Sequence, residues 1–397
     1  MKRVLYVHNS ADIYGASRSL IRLLGTLDRT RFEPLVLLPA EGPLAERLRT
    51  LGLRVFIDPS LSVIDRARFK SWKLLWFLAN IPRSILRLRD LLQRERIDLV
   101  HTNTGVIVSP GPAAWLAGVP HVWHIRDWFQ EFKGFWKWYE RWMRRFSSRI
   151  VAVSEAIAGQ FIDREKVCVV HNGFELAEFP LDPSARASFR QQYGLRDEPV
   201  VGCVGRIKLQ RKGQEVLLQA ATLLKARGIR AQYLIVGAPF PGNESHLEAL
   251  QNLVREGSLE GDVIFTGEIP DPRPAYAAMD IFVLPSAQPE PFGGVVMEAM
   301  AMKLPVIATA IGGSVEQVAD DESGFLVPPN DPTALAEKLE VLLGDAALRE
   351  RFGATGRQRI ATKFSLPEKV REIETIYEDC LRTSGASALK VKTADPS

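Results

Sequence analysis

The stretch PEPFGGVVMEAMAMKLPVIAT, residues 289–309, sets Glu290 and Glu298 eight positions apart, with the pair Gly293-Gly294 between them. A buried strand is expected to end at Leu284, followed by a proline-bracketed loop, a helix over 293–303 and a further strand over 305–310. The start of such a helix carries N–H groups without intrahelical acceptors, and these can hold a phosphate. Glu298 falls roughly a turn and a half into the helix, among Val295, Val296, Met297 and Ala299. A carboxylate in apolar company needs a partner, and sugar or ribose hydroxyls supply neutral donors. The competing reading is ordinary surface and helix chemistry.

Outward from this stretch, short apolar runs alternate with helical patterns along the chain. Strands are expected at 3–7, 34–38, 53–57, 97–101, 121–124, 149–153 and 167–170, with helices at 16–27, 42–51, 71–95, 106–117, 131–146 and 155–162. After the loop-like NGFELAEFPLDPSA the pattern restarts, with strands at 200–207, 231–237, 262–267, 281–286 and 305–310. Helices are expected between them, at 332–343 and from about 367 to 381. Strand–helix alternation at this spacing predicts parallel sheets covered on both faces. The chain has 397 residues, too many for one ordinary core. Two α/β units are expected, joined near residue 180, with ligands beyond the carboxyl ends of the strands in a cleft between them.

Composition narrows the classes. Apolar content of 46% and charged content of 25% fit a folded protein. Cys168, Cys203 and Cys380 form no CxxC pair, so neither a disulfide scaffold nor a structural zinc site is indicated. The opening MKRVLYVHNS is too short for a signal peptide, and no apolar run reaches spanning length, so a cytoplasmic protein is expected. Net charge is +4, yet residues 1–175 hold 27 Lys/Arg against 17 Asp/Glu, a net of +10. Basic and aromatic residues crowd into 69–96 and 126–145. They read either as a packed core with snorkelling basic side chains or as a face for an anionic membrane or lipid-linked acceptor. A nucleic-acid partner is not expected, since no recognised binding module accompanies the charge.

Other candidate sites lie at strand ends. Gly15, in the loop NSADIYGASRS, would allow close approach of a ligand to a helix start, although the loop is neither GxGxxG nor a P-loop. The loop GRIKLQRKG, residues 205–213, places Arg206, Lys208, Arg211 and Lys212 just past a strand. It is either a solvated basic loop or fixed cations for a diphosphate. His124 and Asp127 end another buried run, where either would orient a hydroxyl; His101 and His171 also sit near strand ends. No cluster has zinc-ligand spacing, and no Asp-x-Asp occurs.

Together, the Gly15 loop, GRIKLQRKG, VIFTGEI, EPFGGVVMEAMAMKLPVIAT, IGGSVEQV and SGFLVPPND resemble the retaining GT4 glycosyltransferases of the GT-B fold. That resemblance implies two Rossmann-like α/β/α domains facing a central cleft. Residues 1–178 would bind the acceptor and 179–366 the nucleotide sugar; 367–383 would form a helix crossing back to the first domain, and 384–397 a disordered tail. It implies a UDP- or GDP-linked sugar as co-substrate, no other cofactor and no metal. Glu290 would contact sugar hydroxyls and Glu298 the ribose diol. Gly205, Arg206, Lys212, Phe292, Gly293 and Gly294 would surround the diphosphate, helped by Gly15, with Gly267 and Glu268 along the base. His124 would approach the sugar C6 hydroxyl, though HIRD departs from the usual follow-up, and Tyr14-Gly15 replaces the common Gly-Gly. Transfer would retain anomeric configuration, to a glycan or lipid-linked acceptor in envelope or exopolysaccharide synthesis, on the inner face of the plasma membrane. The other readings are a non-hydrolysing sugar-nucleotide 2-epimerase and a non-catalytic sugar-nucleotide-binding protein.

Overall fold

The structure, a computed structural model, describes residues 1–64, 73–129 and 133–392. The chain forms two compact units: Met1–Gly173 together with the chain from Leu366 onward, and Phe174–Ser365. The first division thus falls at Gly173 rather than at 178.

The first unit contains β1 (Lys2–Val7), β2 (Phe32–Leu38), β3 (Arg54–Ile57), β4 (Leu99–Thr102), β5 (His121–Ile125), β6 (Arg149–Ala152) and β7 (Val167–Val169). These pair in parallel in the order β3-β2-β1-β4-β5-β6-β7. Most strand residues are buried, as their unbroken apolar runs require when helices cover both faces. The order reverses between β1 and β4, and the carboxyl ends there are where open α/β sheets take ligands.

The helix Leu366–Lys392 belongs to this unit. Its Leu366, Val370, Ile373, Tyr377 and Cys380 share a core with Val4, Tyr6, Leu20 and Leu24. Glu374, buried on the same helix, accepts from the Asp28 N–H at 2.8 Å and pairs with Arg31 at 3.2 Å, so its charge is compensated. The expectation of a tail from 384 is corrected: the helix continues to Lys392, and 393–397 lie outside the described residues. The helix starts expected at 71 and 131 also lie outside them; the described helices are Lys73–Arg94 and Lys133–Arg145.

The second unit contains β8 (Val200–Val204), β9 (Gln232–Val236), β10 (Val263–Gly267), β11 (Ile281–Leu284), β12 (Val306–Thr309) and β13 (Gly324–Val327). Their order, β10-β9-β8-β11-β12-β13, is again parallel, with its reversal between β8 and β11. Three elements depart from the sequence expectation. The strand β13 is four residues at a sheet edge, too short to show a period. Helix Pro183–Gln192 begins within the stretch read as loop and continues where no element was expected, opened by the Asp182 carboxylate accepting from Ser184 N–H at 2.8 Å. Helix Ala346–Lys363 carries Gly353 and Gly356 inside it, which weaken the helical signal. Gly353 is there because a Cβ would stand 2.0 Å from the Lys303 carbonyl oxygen.

Tyr377 ties the final helix into the first sheet: its hydroxyl lies 2.8 Å from His101 Nδ1 and 3.1 Å from the Tyr6 hydroxyl, all three buried. Tyr377→Phe keeps the shape and strands a buried polar nitrogen, so it is expected to destabilise the protein by about 1–3 kcal/mol. Denaturant unfolding checks this, and an unchanged midpoint would refute it.

Candidate functional site

In the second unit, the loop after β8 and the loop after β11 are fastened together. Gly213, at φ 71°, opens the helix Gln214–Ala226, and a Cβ on it would fall 1.8 Å from the Pro285 carbonyl oxygen. Only glycine meets both demands. Ala287 and Gln288 donate their N–H groups to the Arg211 carbonyl at 3.0 and 3.3 Å. The two loops then bring Lys212 Nζ to 2.5 Å from Glu290 Oε1, which also accepts from Ser286 Oγ at 3.3 Å. Gly312, at φ 61°, lets the loop after β12 press on the Glu290 backbone, and Gly313 N–H donates to the Glu290 carbonyl at 2.8 Å.

Beside this pair begins the helix Gly294–Ala301. Gly294 is exposed, with open space where a Cβ would be, and its first-turn N–H groups suit an anion. Gly293 behind it is held by Gln317, whose side-chain amide accepts from Gly293 N–H at 3.2 Å and donates to its carbonyl at 2.8 Å. Glu298 is buried, and its Oε2 accepts from the Tyr276 hydroxyl at 2.8 Å. Arg206 lies with its guanidinium carbon 3.2 Å from the centre of the Phe240 ring. Gly205 N–H donates to Val236 and Gly237 N–H to Gly267, so the exits of β8, β9 and β10 adjoin; exposed Glu268 follows. Phe292 stands apart from this group: it is buried edge-on against Phe364, 5.7 Å between ring centres, in the unit's interior.

In the first unit, the carboxyl ends of β1, β4, β5 and β7 hold a connected polar cluster. Asn103 donates its amide to His8 Nδ1 at 3.2 Å, so the His8 proton sits on Nε2 and reaches Ser17 Oγ at 2.9 Å. Ser17 in turn donates to the Asp12 carbonyl at 2.7 Å, holding the loop ahead of Gly15, which is exposed with open space around it. Arg126 was not among the sequence candidates. Its Nε donates to Asn103 Oδ1 at 3.2 Å, Nη1 to Asn172 Oδ1, and Nη2 approaches His124 Nδ1 at 3.4 Å. Asn103 and Asn172 lie far apart in sequence, which left no local signal for this role. Asp127 Oδ2 accepts the Gly105 N–H at 2.6 Å, so part of the acid is spent on the backbone.

Comparison with known proteins agrees with both halves. The family described as Glycosyltransferase Family 4 matches residues 13–178, and that described as Glycosyl transferases group 1 matches 185–359. The chain has the GT-B fold, and each of its halves matches a glycosyltransferase family model. It is 32% identical over 250 residues to the capsular polysaccharide biosynthesis glycosyltransferase CapM of Staphylococcus aureus, covering 59% of this chain and 62% of CapM. It is 35% identical over 193 residues to the GDP-mannose-dependent alpha-(1-6)-phosphatidylinositol monomannoside mannosyltransferase of Mycolicibacterium smegmatis, covering 47% and 49%. The matches thus span between about half and under two thirds of these relatives' length. The crystal structure of Anabaena Alr3699/HepE in complex with UDP superposes with a TM-score of 0.81 at 25% identity, over 96% of this chain and 100% of that one.

Of the expected site residues, the second unit brings together Gly205, Lys212, Glu290, Gly293 and Gly294 around its strand ends. Gly15, His124 and Asp127 belong to the first unit. Among the described residues, no group of three or more His, Cys, Asp or Glu is arranged to hold a metal ion.

Burial keeps the first unit's histidines neutral: His8 is pushed down to about 3 and His121 to about 4, while His101 and His124 fall well below their ordinary value. Each therefore takes up its proton only on unfolding, so its contribution is whole above pH 6.5 and is lost as pH falls toward 4. The loss is on the order of 1 kcal/mol per histidine per pH unit. Burial raises Asp127, which acts in the opposite direction above its ordinary 3.8 and offsets part of the slope. Stability of the protein is expected to fall steadily from pH 7 to pH 5 in denaturant titrations; a flat profile would refute the buried neutral histidines.

Proposed function

We propose that the protein is a retaining hexosyltransferase that takes a nucleoside diphosphate sugar on its second unit and delivers the sugar to a glycan or lipid-linked hydroxyl. The observation that carries this reading is the Lys212–Glu290 pair beside the helix start at Gly293-Gly294. The pair offers a fixed cation for a leaving diphosphate and a carboxylate for sugar hydroxyls, next to N–H groups for the phosphate oxygens. Arg206 adds a second cation once it leaves the Phe240 ring, Glu298 takes the ribose diol, and Gly267 and Glu268 line the base. Gly15 and His124 complete the donor contacts from the first unit, and Asp127 orients the acceptor.

In the reaction the bond from the anomeric carbon to the phosphate oxygen breaks and a bond to the acceptor oxygen forms on the same face. The acceptor proton passes to the departing phosphate. Lys212 and Arg206 stabilise the charge that grows on that phosphate, which favours the transition state over the bound donor. Relatives and neighbours bring two donor bases into view, uridine with Alr3699/HepE and guanosine with the mannosyltransferase. Work at an anionic membrane surface, in envelope or exopolysaccharide synthesis on the cytoplasmic side, is supported by a ladder of rings on the first unit. Trp138 and Trp142 stand 5.5 Å apart, Trp142 and Phe146 4.8 Å, and Phe146 and Trp115 5.9 Å, with Arg145 over Trp115. Trp115 and Trp138 are exposed beside Lys137 and Arg141, an amphipathic combination suited to a headgroup layer. No helix of the described residues is long and apolar enough to cross a membrane.

Turnover of UDP- and GDP-sugars is the first test. Lys212→Ala is expected to lower kcat with the accepted donor by about 100-fold or more, and Glu290→Ala to lower it similarly. Binding of no donor, or unchanged turnover in both variants, would sink the assignment. For the membrane, sedimentation with anionic vesicles is expected to carry down the wild type and to leave Trp138→Ala/Arg141→Glu largely in the supernatant. Equal recovery of the two proteins would count against this surface.

A further inference from the structure

Arg126 is a half-buried cation whose partners are all neutral. Two of its three contacts are amide oxygens, of Asn103 and Asn172, and the third is the His124 imidazole. Among the described residues it makes no ion pair, and burial brings its guanidinium down to about 10. The neighbouring Asp127 carboxylate offsets part of this charge, but it makes no ion pair with Arg126 and accepts the Gly105 N–H instead. An arriving anion would therefore find the guanidinium only partly compensated.

The surroundings specify what would arrive. Since a guanidinium only donates, His124 Nδ1 is the acceptor in their contact, and the ring proton sits on Nε2. That Nε2–H is buried and has no partner among the described residues. His124 and Arg126 line one small pocket together with Ser19, His171, Asn172 and Lys369. The Lys369 ammonium there is already paired with Glu372 at 2.7 Å, which leaves the unpartnered imidazole N–H and the guanidinium, and a group with only acceptors suits both. We infer that Arg126 and His124 form an oxyanion subsite of the first unit, which takes a charged oxygen of a phosphate or carboxylate carried by a substrate. The inference rests on the proposed transferase reading only for the identity of that substrate. Arg126 has a purely mechanical alternative, as a strut between the ends of β4, β5 and β7, and the two roles differ in their response to anions.

The experiment uses the full-length protein carrying Lys212→Ala, which disables the expected diphosphate cation of the second unit. Inorganic phosphate is titrated at constant ionic strength, with thermal stability as the readout. A saturable rise in Tm is expected; adding Arg126→Gln or His124→Phe should weaken the apparent affinity about tenfold or more, and Arg126→Lys should retain part of it. A strut would lower Tm in Arg126→Gln without altering the phosphate response. No phosphate response in the Lys212→Ala protein, or the same response after Arg126→Gln and His124→Phe, overturns the subsite. Calorimetry with UDP and uridine, on proteins with Lys212 intact, separates the sources. A loss of UDP affinity in Arg126→Gln with uridine unchanged assigns the oxyanion to the donor; unchanged UDP affinity assigns it to the acceptor. Failure of the wild type to bind any nucleotide, with the phosphate response intact, would remove the donor reading and leave the subsite standing.

Discussion

The second unit's site depends on how closely two loops approach at Gly213. Its left-handed backbone and its contact with the Pro285 carbonyl let the exit of β8 lie directly on the exit of β11. Any side chain there would push the loops apart, and Lys212 would no longer stand against Glu290. Gly312 repeats the device on the other flank, against the Glu290 backbone. The carboxylate is therefore positioned by main-chain packing on both sides, with its ion pair adding orientation. A lysine and a glutamate on long side chains would otherwise lose much of their attraction to conformational freedom.

The first unit solves a different problem. It gathers polar side chains at buried strand ends and links several of them through a chain that runs from Asp12 through Ser17, His8 and Asn103 to Arg126. Asn103 and Ser17 fix the proton position of His8, so its imidazole has a defined donor and acceptor although it carries no charge. Such a network is rigid when complete and expensive when broken, since every buried member would lose a partner at once.

Much of this was legible in the sequence, for reasons that differ by element. Parallel strands announce themselves as apolar runs because both their faces are covered, and all seven strands of the first unit were expected near their observed places. The loop GRIKLQRKG and the Gly293-Gly294 mouth were equally visible, because glycine and lysine at strand ends signal close approach and charge. Phe292 sits between Pro291 and Gly293 at the loop's end, and nothing in that setting signals that its ring turns inward to Phe364. Helix Ala346–Lys363 stayed hidden because its glycines answer to neighbouring segments, Gly353 to the Lys303 carbonyl and Gly356 to Met300, rather than to their own helix. Arg126 stayed hidden because its partners come from two distant strand ends, and a contact of that kind has no local trace.

The return of the final helix to the first unit also orders events in time. Tyr377 and its neighbours fill the core around Tyr6 and Leu20, so this unit lacks part of its interior until some of the last residues of the chain have been made. The second unit is encoded wholly between those two parts and is complete before the final helix is made. During synthesis the second unit can therefore fold while the opening part of the chain still waits for the helix from Leu366. The beginning of the chain is thus the part most dependent on a holdase during synthesis.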